Sequence, residues 1–134
     1  MFLLLKVRTY ARLGHVAEGL RILAEVQAFI EETGEKQEEA ELYRLKGELM
    51  LQADGPDFSA QEAEASFAKA LNVARQQEAK SLELRAATSL ARLWQQQGKT
   101  AEARDLLAPV YNWFTEGFDT ADLKDAKALL DSLA

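Results

Sequence analysis

Apolar residues follow a helical spacing along the chain, and each run of this pattern stops at a glycine or a short polar segment. Glycine accepts the left-handed backbone conformation that closes helices, so Gly14, Gly34, Gly98, Gly117 and the segment 54–57 indicate helix ends. The pattern predicts seven helices, at residues 2–13, 15–33, 36–53, 59–77, 79–97, 100–116 and 120–133.

Local signals refine some of these boundaries. Ser59, with Glu62 three residues later, has the spacing of a capping box for the fourth helix. Asp119 or Thr120 can cap the seventh helix. Pro109 falls inside the sixth helix and lacks a backbone donor, so we expect a bend there.

Two parts of the chain match when Gly14 is aligned with Gly98. Tyr10 and Trp94 stand four residues before these glycines. The same alignment pairs Val7 with Ala91, Gly19 with Ala103, Leu23 with Leu107, and Val26 with Val110. The middle of the chain repeats the pattern at Tyr43, Gly47, Met50, Ala63, Phe67, Ala70 and Leu71. This register also requires a turn near residue 78, where the sequence has neither glycine nor proline.

The order of aromatic and small residues resembles the tetratricopeptide (TPR) repeat. The resemblance spans residues 1–134 and implies one all-α domain. It implies a right-handed α-solenoid of about three TPR-like hairpins, at roughly 1–34, 36–77 and 79–116, with a capping helix at 120–133. We expect Gly47, Ala63, Ala70, Ala91 and Ala103 to allow close helix contacts, and Tyr10, Phe67 and Trp94 to fill the space between hairpins.

The repeats are longer than the minimal TPR. Gly19, Ala63 and Ala103 are separated by 44 and 40 residues, whereas the TPR period is about 34. We therefore expect longer helices and an irregular superhelix.

A narrower resemblance covers the stretches 40–50, 80–99 and 106–130. They look like the C-terminal repeat region of bacterial multidomain signalling ATPases and of adenylate and guanylate cyclase-type regulators. The resemblance implies a fragment of a larger protein, acting as a sensor or protein-interaction region that regulates attached ATPase or cyclase domains. The sequence itself has no GxxxxGK[ST] phosphate-binding loop.

Composition narrows the choice of partner and compartment. The 134 residues carry 16 Lys and Arg against 22 Asp and Glu, a net charge of −6 that disfavours nucleic acid and anionic membranes. The chain has no cysteine, which fits a reducing, cytoplasmic environment. The apolar start is too short for a signal peptide or a membrane span.

No feature of the sequence indicates catalysis. His15 is the only histidine, and it follows a helix-ending glycine, so we interpret it as a turn residue. The acidic stretch 31–41 lacks the ligand pattern of a calcium loop. We therefore predict a non-enzymatic chain with no catalytic residue, metal or cofactor, whose partner is a protein or peptide.

A binding groove is expected along the first helices of successive hairpins. The residues that face away from the packed positions are Arg8, Arg12, Glu41, Arg44, Glu48, Gln52, Arg85, Thr88, Arg92 and Gln96. Five of them are arginines, whose guanidinium groups bind carboxylates in a two-pronged geometry. The alternative is a solvated face with intrahelical pairs such as Arg44 with Glu48.

Two apolar segments offer further surfaces. Phe2, Leu3, Leu4 and Leu5 cover more than one face of a helix, so they either contact a second chain, as in a homodimer, or lie in the chain's own core. The aromatic residues Tyr111, Trp113, Phe114 and Phe118 form either a binding hot spot or, as we favour, the anchor of the closing helix.

Overall fold

The structure of the chain, a computed structural model, describes residues 2–34, 36–52 and 57–134. All regular structure in these ranges is helical, so the predicted all-α chain with seven helices is confirmed. The helices are α1 (Phe2–Leu13), α2 (Val16–Thr33), α3 (Glu39–Gln52), α4 (Asp57–Gln76), α5 (Lys80–Gln96), α6 (Thr100–Asn112) and α7 (Ala121–Leu133).

Helix α6 ends earlier than the predicted residue 116. The amide of Trp113 donates to Val110 and that of Phe114 donates to Tyr111, at 3.3 and 3.2 Å. These bonds reach back only three residues, which tightens the last turn before the chain leaves the helix. Gly117 then adopts a left-handed conformation with φ of 77° in the connection to α7.

The predicted cap position is wrong for α4 and confirmed for α7, where the capping hydrogen bond is missing. Helix α4 begins at Asp57, so Ser59 lies inside its first turn instead of at the capping position. Thr120 occupies the cap position of α7 with an extended backbone, but its side chain makes no capping hydrogen bond. Pro109 lies inside α6, as predicted.

Three connections between helices have the same backbone geometry. In each, a residue with positive φ is followed by an amide that donates to the carbonyl five residues earlier, a common way to close a helix. The positive-φ residues are Gly14 (76°), Glu78 (54°) and Gly98 (80°). The bonds join His15 to Tyr10, Ala79 to Ala74 and Lys99 to Trp94, at 2.8, 2.9 and 2.8 Å. The predicted turn near residue 78 is thus confirmed.

The odd-numbered helices contact one another, whereas the even-numbered helices α2, α4 and α6 do not contact their even-numbered neighbours within the described residues. Each helix contacts the next one along the chain, and α1, α3, α5 and α7 also contact one another in succession. Among the described residues, α2 does not contact α4, and α4 does not contact α6. The odd-numbered helices therefore form one layer, which we call the odd-helix face.

Small residues are placed where helices approach most closely. Gly47 of α3 faces Phe67 of α4, which is fully buried. The predicted packing positions Ala63, Ala70, Ala91 and Ala103 are all 0% exposed, whereas Tyr10 and Trp94 are half-buried.

The apolar start of the chain belongs in part to the core. Leu4 is 3% exposed and packs with Val7, Leu42 and their neighbours. Leu4 is therefore unavailable as an oligomer contact. Leu5 is 57% exposed, and the side chains of Phe2 and Leu3 lie outside the described part of the chain.

The expectation that the C-terminal aromatic residues anchor the closing helix is only partly right. Tyr111 and Phe114 are half-buried against the core, but Trp113 and Phe118 are exposed. The early end of α6 leaves Trp113 outside the helix. Helix α7 instead buries its own apolar side chains, Leu123, Ala126, Leu129 and Leu133.

None of the helices in the described ranges has the length and hydrophobicity that a membrane crossing requires.

Candidate binding groove

A cavity of about 230 Å³ opens on the odd-helix face and is lined by residues of α1, α3, α5 and α7. It brings together all five arginines that the sequence nominated. The predicted residues that line it are Arg8, Arg12, Arg44, Glu48, Gln52, Arg85, Thr88 and Arg92.

A second cavity of about 240 Å³ adjoins the first along α3 and α5. The two cavities share Glu48, Gln52, Ser89 and Arg92, and the second extends to Gln96. We call the two cavities together the groove. Every residue predicted for the groove except Glu41 lines one of the two cavities.

Glu41 lies beneath the groove instead of lining it. Its side chain is buried, with 7% exposed. One carboxylate oxygen contacts Arg44 Nε, and the other accepts a hydrogen bond from Arg85 Nη1 at 2.7 Å. The sequence pattern placed Glu41 on the polar side of its helix, but it could not show that Arg85, 44 residues away, covers it.

The two arginines next to Glu41 are held by further acidic groups. Arg85 Nε donates to Asp122 of α7 at 2.7 Å, so Arg85 links α3, α5 and α7. Arg44 Nη1 lies 3.7 Å from Glu48, the intrahelical pair that the sequence suggested. We call these five residues the ion-pair network.

The contacts within the ion-pair network favour the ionised forms of Glu41 and Arg85. Burial alone would raise the pKa of the Glu41 carboxyl, but the guanidinium groups of Arg44 and Arg85 outweigh burial and hold that pKa below its usual value. Burial opposes the charge of Arg85, yet the hydrogen bond to Asp122 and the charge of Glu41 raise its pKa. Glu41 is therefore a structural anion and a poor proton donor.

Two small polar side chains complete the wall of the groove on α5. Ser89 donates to Glu48 Oε1 at 2.7 Å and is 4% exposed. Thr88, predicted as a groove contact, is 6% exposed and donates its hydroxyl to the Leu84 carbonyl at 2.8 Å. Thr88 thus shapes the wall but has its donor occupied by the backbone.

The guanidinium groups of the other three arginines have no acidic partner among the described residues and can bind a ligand. Within the described ranges, Arg8, Arg12 and Arg92 form no hydrogen bond or ion pair. Arg8 is half-buried, and Arg12 and Arg92 are exposed. Asp125 of α7 also lines the cavity without a partner in the same ranges. The free charge of the groove is therefore mainly positive, in a chain whose net charge is −6.

Sequence reasoning missed the residues that α7 contributes. The seventh helix was predicted only as a capping helix, yet Asp122 and Asp125 both line the cavity. The available signal was the repeat register, because α7 is the next odd-numbered helix after α5. Ala11, Leu45 and Ser89 were also missed, since residues next to a packed helix face can line a cavity as well.

The remaining candidate chemistry is sparse. His15 lies in the turn before α2, is exposed, and stacks on Tyr10 with ring centroids 5.9 Å apart. In the part of the chain that the structure describes, no group of three His, Cys, Asp or Glu residues is arranged to hold a metal ion.

The chain was also compared with known proteins. No family model, curated protein or solved structure matches it.

Proposed function

We propose that this chain is a non-catalytic protein-interaction module of the TPR type, which holds a polypeptide segment of a partner in the groove. The observation that carries the proposal is the groove itself, because its two adjoining cavities lie on one layer of successive helices. Such a layer is the concave binding surface of helical repeat proteins.

Several features support a TPR-like solenoid of three hairpins with a closing helix. The odd-numbered helices contact each other in succession, as stacked repeats do. The turns at Gly14 and Gly98 have the same geometry, which matches the internal similarity of the sequence. Gly47, Ala63 and Ala103 occupy tight, buried positions that the repeat pattern reserves for small residues.

The groove is better suited to binding than to chemistry. Glu41, Glu48 and Asp122 are occupied by arginine or serine contacts, and the lowered pKa of Glu41 makes it a weak acid catalyst. Together with the resemblance to cyclase and ATPase regulators, this supports a regulatory or sensor role in a cytoplasmic bacterial signalling protein.

A displayed library of random peptides tests the proposal. The chain has no cysteine, so a single photo-crosslinker can be attached at Gln52→Cys in the groove or, as a control, at Glu25→Cys on α2. We expect selected peptides to crosslink from the first position and not from the second. Failure to select any peptide, or equal crosslinking from both positions, would contradict a binding groove.

A second function is supported by a different observation. Leu5 and Leu13 of α1 are 57% and 63% exposed. Such side chains would contribute to a homo-oligomer interface if they formed part of a larger apolar patch. This alternative predicts self-association through α1 and does not require the groove.

A further inference from the structure

We propose that the groove selects an acidic segment of its partner, and that Arg8, Arg12 and Arg92 are the residues that bind the carboxylates. This inference rests on the proposed function, because it specifies the chemistry of the polypeptide that the groove holds. It follows from how the arginines are partnered, from the two adjoining cavities of the groove, and from the residues that line them.

The five arginines divide into two groups. Arg44 and Arg85 are tied to Glu41, Glu48 and Asp122 in the ion-pair network. Moving either guanidinium toward a ligand would leave the buried Glu41 carboxylate short of a cation, which is costly. These two arginines therefore hold the wall in place.

The other group is free to bind. Arg8 and Arg12 lie on α1, Arg92 lies on α5, and none of the three has a partner among the described residues. A guanidinium group presents several donors in a fixed plane that matches a carboxylate. Two helices thus present guanidinium groups without an acidic partner to the same groove.

The extension of the groove over two adjoining cavities favours a polypeptide over a small anion. Arg92 lines both cavities, whereas Arg8 and Arg12 line only the first. A single phosphate or small carboxylate would occupy one cavity and leave the rest solvated. An extended segment with several Asp or Glu side chains can place carboxylates at the three arginines of the first cavity and continue into the second.

The lining of the groove favours charge over hydrophobic anchoring. No aromatic side chain is among the described residues that line either cavity, and the apolar ones are Ala11, Leu45, Leu51 and Leu93. An amphipathic helix needs a deeper apolar surface than this. We therefore expect an affinity that depends mainly on ion pairs and falls with salt.

Fluorescence anisotropy with a labelled peptide of alternating Glu and Ala tests the inference, beside a peptide with Gln in place of Glu. We expect the wild-type chain to bind the Glu peptide in preference to the Gln peptide. The variant Arg8→Gln/Arg12→Gln/Arg92→Gln should bind the Glu peptide roughly tenfold more weakly, as expected from three exposed ion pairs. Circular dichroism should show an unchanged helix content.

A charge-matched variant is the control. Lys6, Arg21 and Lys99 are exposed and lie outside both cavities, so Lys6→Gln/Arg21→Gln/Lys99→Gln removes the same charge elsewhere. We expect it to bind the Glu peptide as the wild type does. An equal loss of affinity in both variants would overturn the inference, since attraction would then follow net charge alone.

Other outcomes separate this inference from the proposed function. Equal binding of the Gln and Glu peptides, or library-selected peptides that crosslink in the groove but carry no acidic residues, would refute the acidic partner and leave the groove intact. Citrate or inorganic phosphate binding as tightly as the Glu peptide, with the same loss in the triple variant, would refute the polypeptide in favour of a small anion.

Discussion

Glu41 is buried between two guanidinium groups, and its ionised form is therefore part of what stabilises the helical packing. A carboxyl whose pKa is lowered on folding contributes stability above its unfolded pKa of about 4.3. That contribution is lost as the pH falls through the lower, folded pKa. Protonation of Glu41 at acidic pH should thus weaken the contact between α3 and α5.

The variant Glu41→Gln tests this role. We expect it to lower the free energy of unfolding by about 2 kcal/mol at neutral pH, because Arg44 and Arg85 lose a buried counter-charge. Its stability should also fall less on acidification than that of the wild type. Urea unfolding at neutral and at acidic pH, followed by circular dichroism, measures the free energy of unfolding of both proteins and its change with pH.

The exposed pair of Glu25 with Arg21 provides the control. Glu25→Gln should change the unfolding free energy by less than about 0.5 kcal/mol. If Glu41→Gln lowered the free energy of unfolding as little as Glu25→Gln does, the ion-pair network would contribute little to stability.

Gly47 is constrained by packing and not by backbone conformation. A Cβ atom at this position would lie 2.5 Å from Phe67 Cε1 and 2.7 Å from Cδ1. We expect Gly47→Ala to destabilise the chain by about 1–3 kcal/mol, although alanine is the better helix former by about 1 kcal/mol.

A double-mutant cycle distinguishes this clash from other causes. In the background Phe67→Leu, the ring is absent, so Gly47→Ala should cost much less or become stabilising. Thermal unfolding measures the stability of each variant. If the double variant lost as much stability as the two single variants together, the packing explanation would be contradicted.

For single residues, the sequence predicted those packing positions that follow from the repeated pattern of small and aromatic residues. Gly47 was nominated because the repeat register puts a small residue there, and it lies against Phe67 as a close contact. The burial of Glu41 was not predictable, because its partners Arg85 and Asp122 are joined to it only by the folded arrangement of α3, α5 and α7.

At the scale of helices, the turn between α4 and α5 differs from two others in the residue that adopts positive φ. Glu78 adopts φ of 54°, whereas the matching positions in two other turns are Gly14 and Gly98. The left-handed conformation costs a side-chain-bearing residue about 1–2 kcal/mol. The repeat register predicted a turn here, but residue preferences alone did not.

Substitution of Glu78 should therefore depend on backbone conformation. We expect Glu78→Gly to raise the unfolding free energy by roughly 0.5–1 kcal/mol, because relief of strain exceeds the added freedom of the unfolded chain. Glu78→Val should lower it, since a β-branched residue tolerates this conformation least. Chemical denaturation of the three proteins measures the order.

A neighbouring glycine substitution is the control. Gln76 is the last residue of α4, so Gln76→Gly should be destabilising. Stabilisation by both glycine variants would show that the gain at residue 78 does not come from its positive φ.

The helix ends also show where sequence patterns fail. The early end of α6 was missed because Trp113 and Phe114 continue the apolar pattern without continuing the helix. As a result, Trp113 is 57% exposed, and its ring lies under the Lys80 ammonium at 5.4 Å from the ring centroid.

At the scale of the whole molecule, the groove is formed by residues from four helices that lie far apart in the sequence. The groove needs α1, α3, α5 and α7 together, and Arg85 connects three of them. The sequence predicted the first three contributors from internal similarity. It assigned α7 only a closing role, because the last helix lacks the aromatic and glycine pattern of the repeats.

The exposed leucines of α1 decide between the two proposed functions. Leu5, Leu13 and the 43% exposed Phe29 of α2 are the large apolar side chains that the described N-terminal helices show to solvent. Three side chains are few beside the roughly 20–30 residues that a stable dimer interface uses on each partner. We therefore expect a monomer at micromolar concentration in light scattering across a range of concentrations.

The variant Leu5→Gln/Leu13→Gln makes this expectation testable in both directions. If the chain is monomeric, the variant should keep the wild-type mass and helix content, because neither leucine is in the core. A wild-type dimer that the variant converts to a folded monomer would favour oligomerisation over the groove as the main activity. Leu4→Gln, at a buried position, should instead lower the unfolding free energy whatever the oligomeric state, since it places an amide in the core.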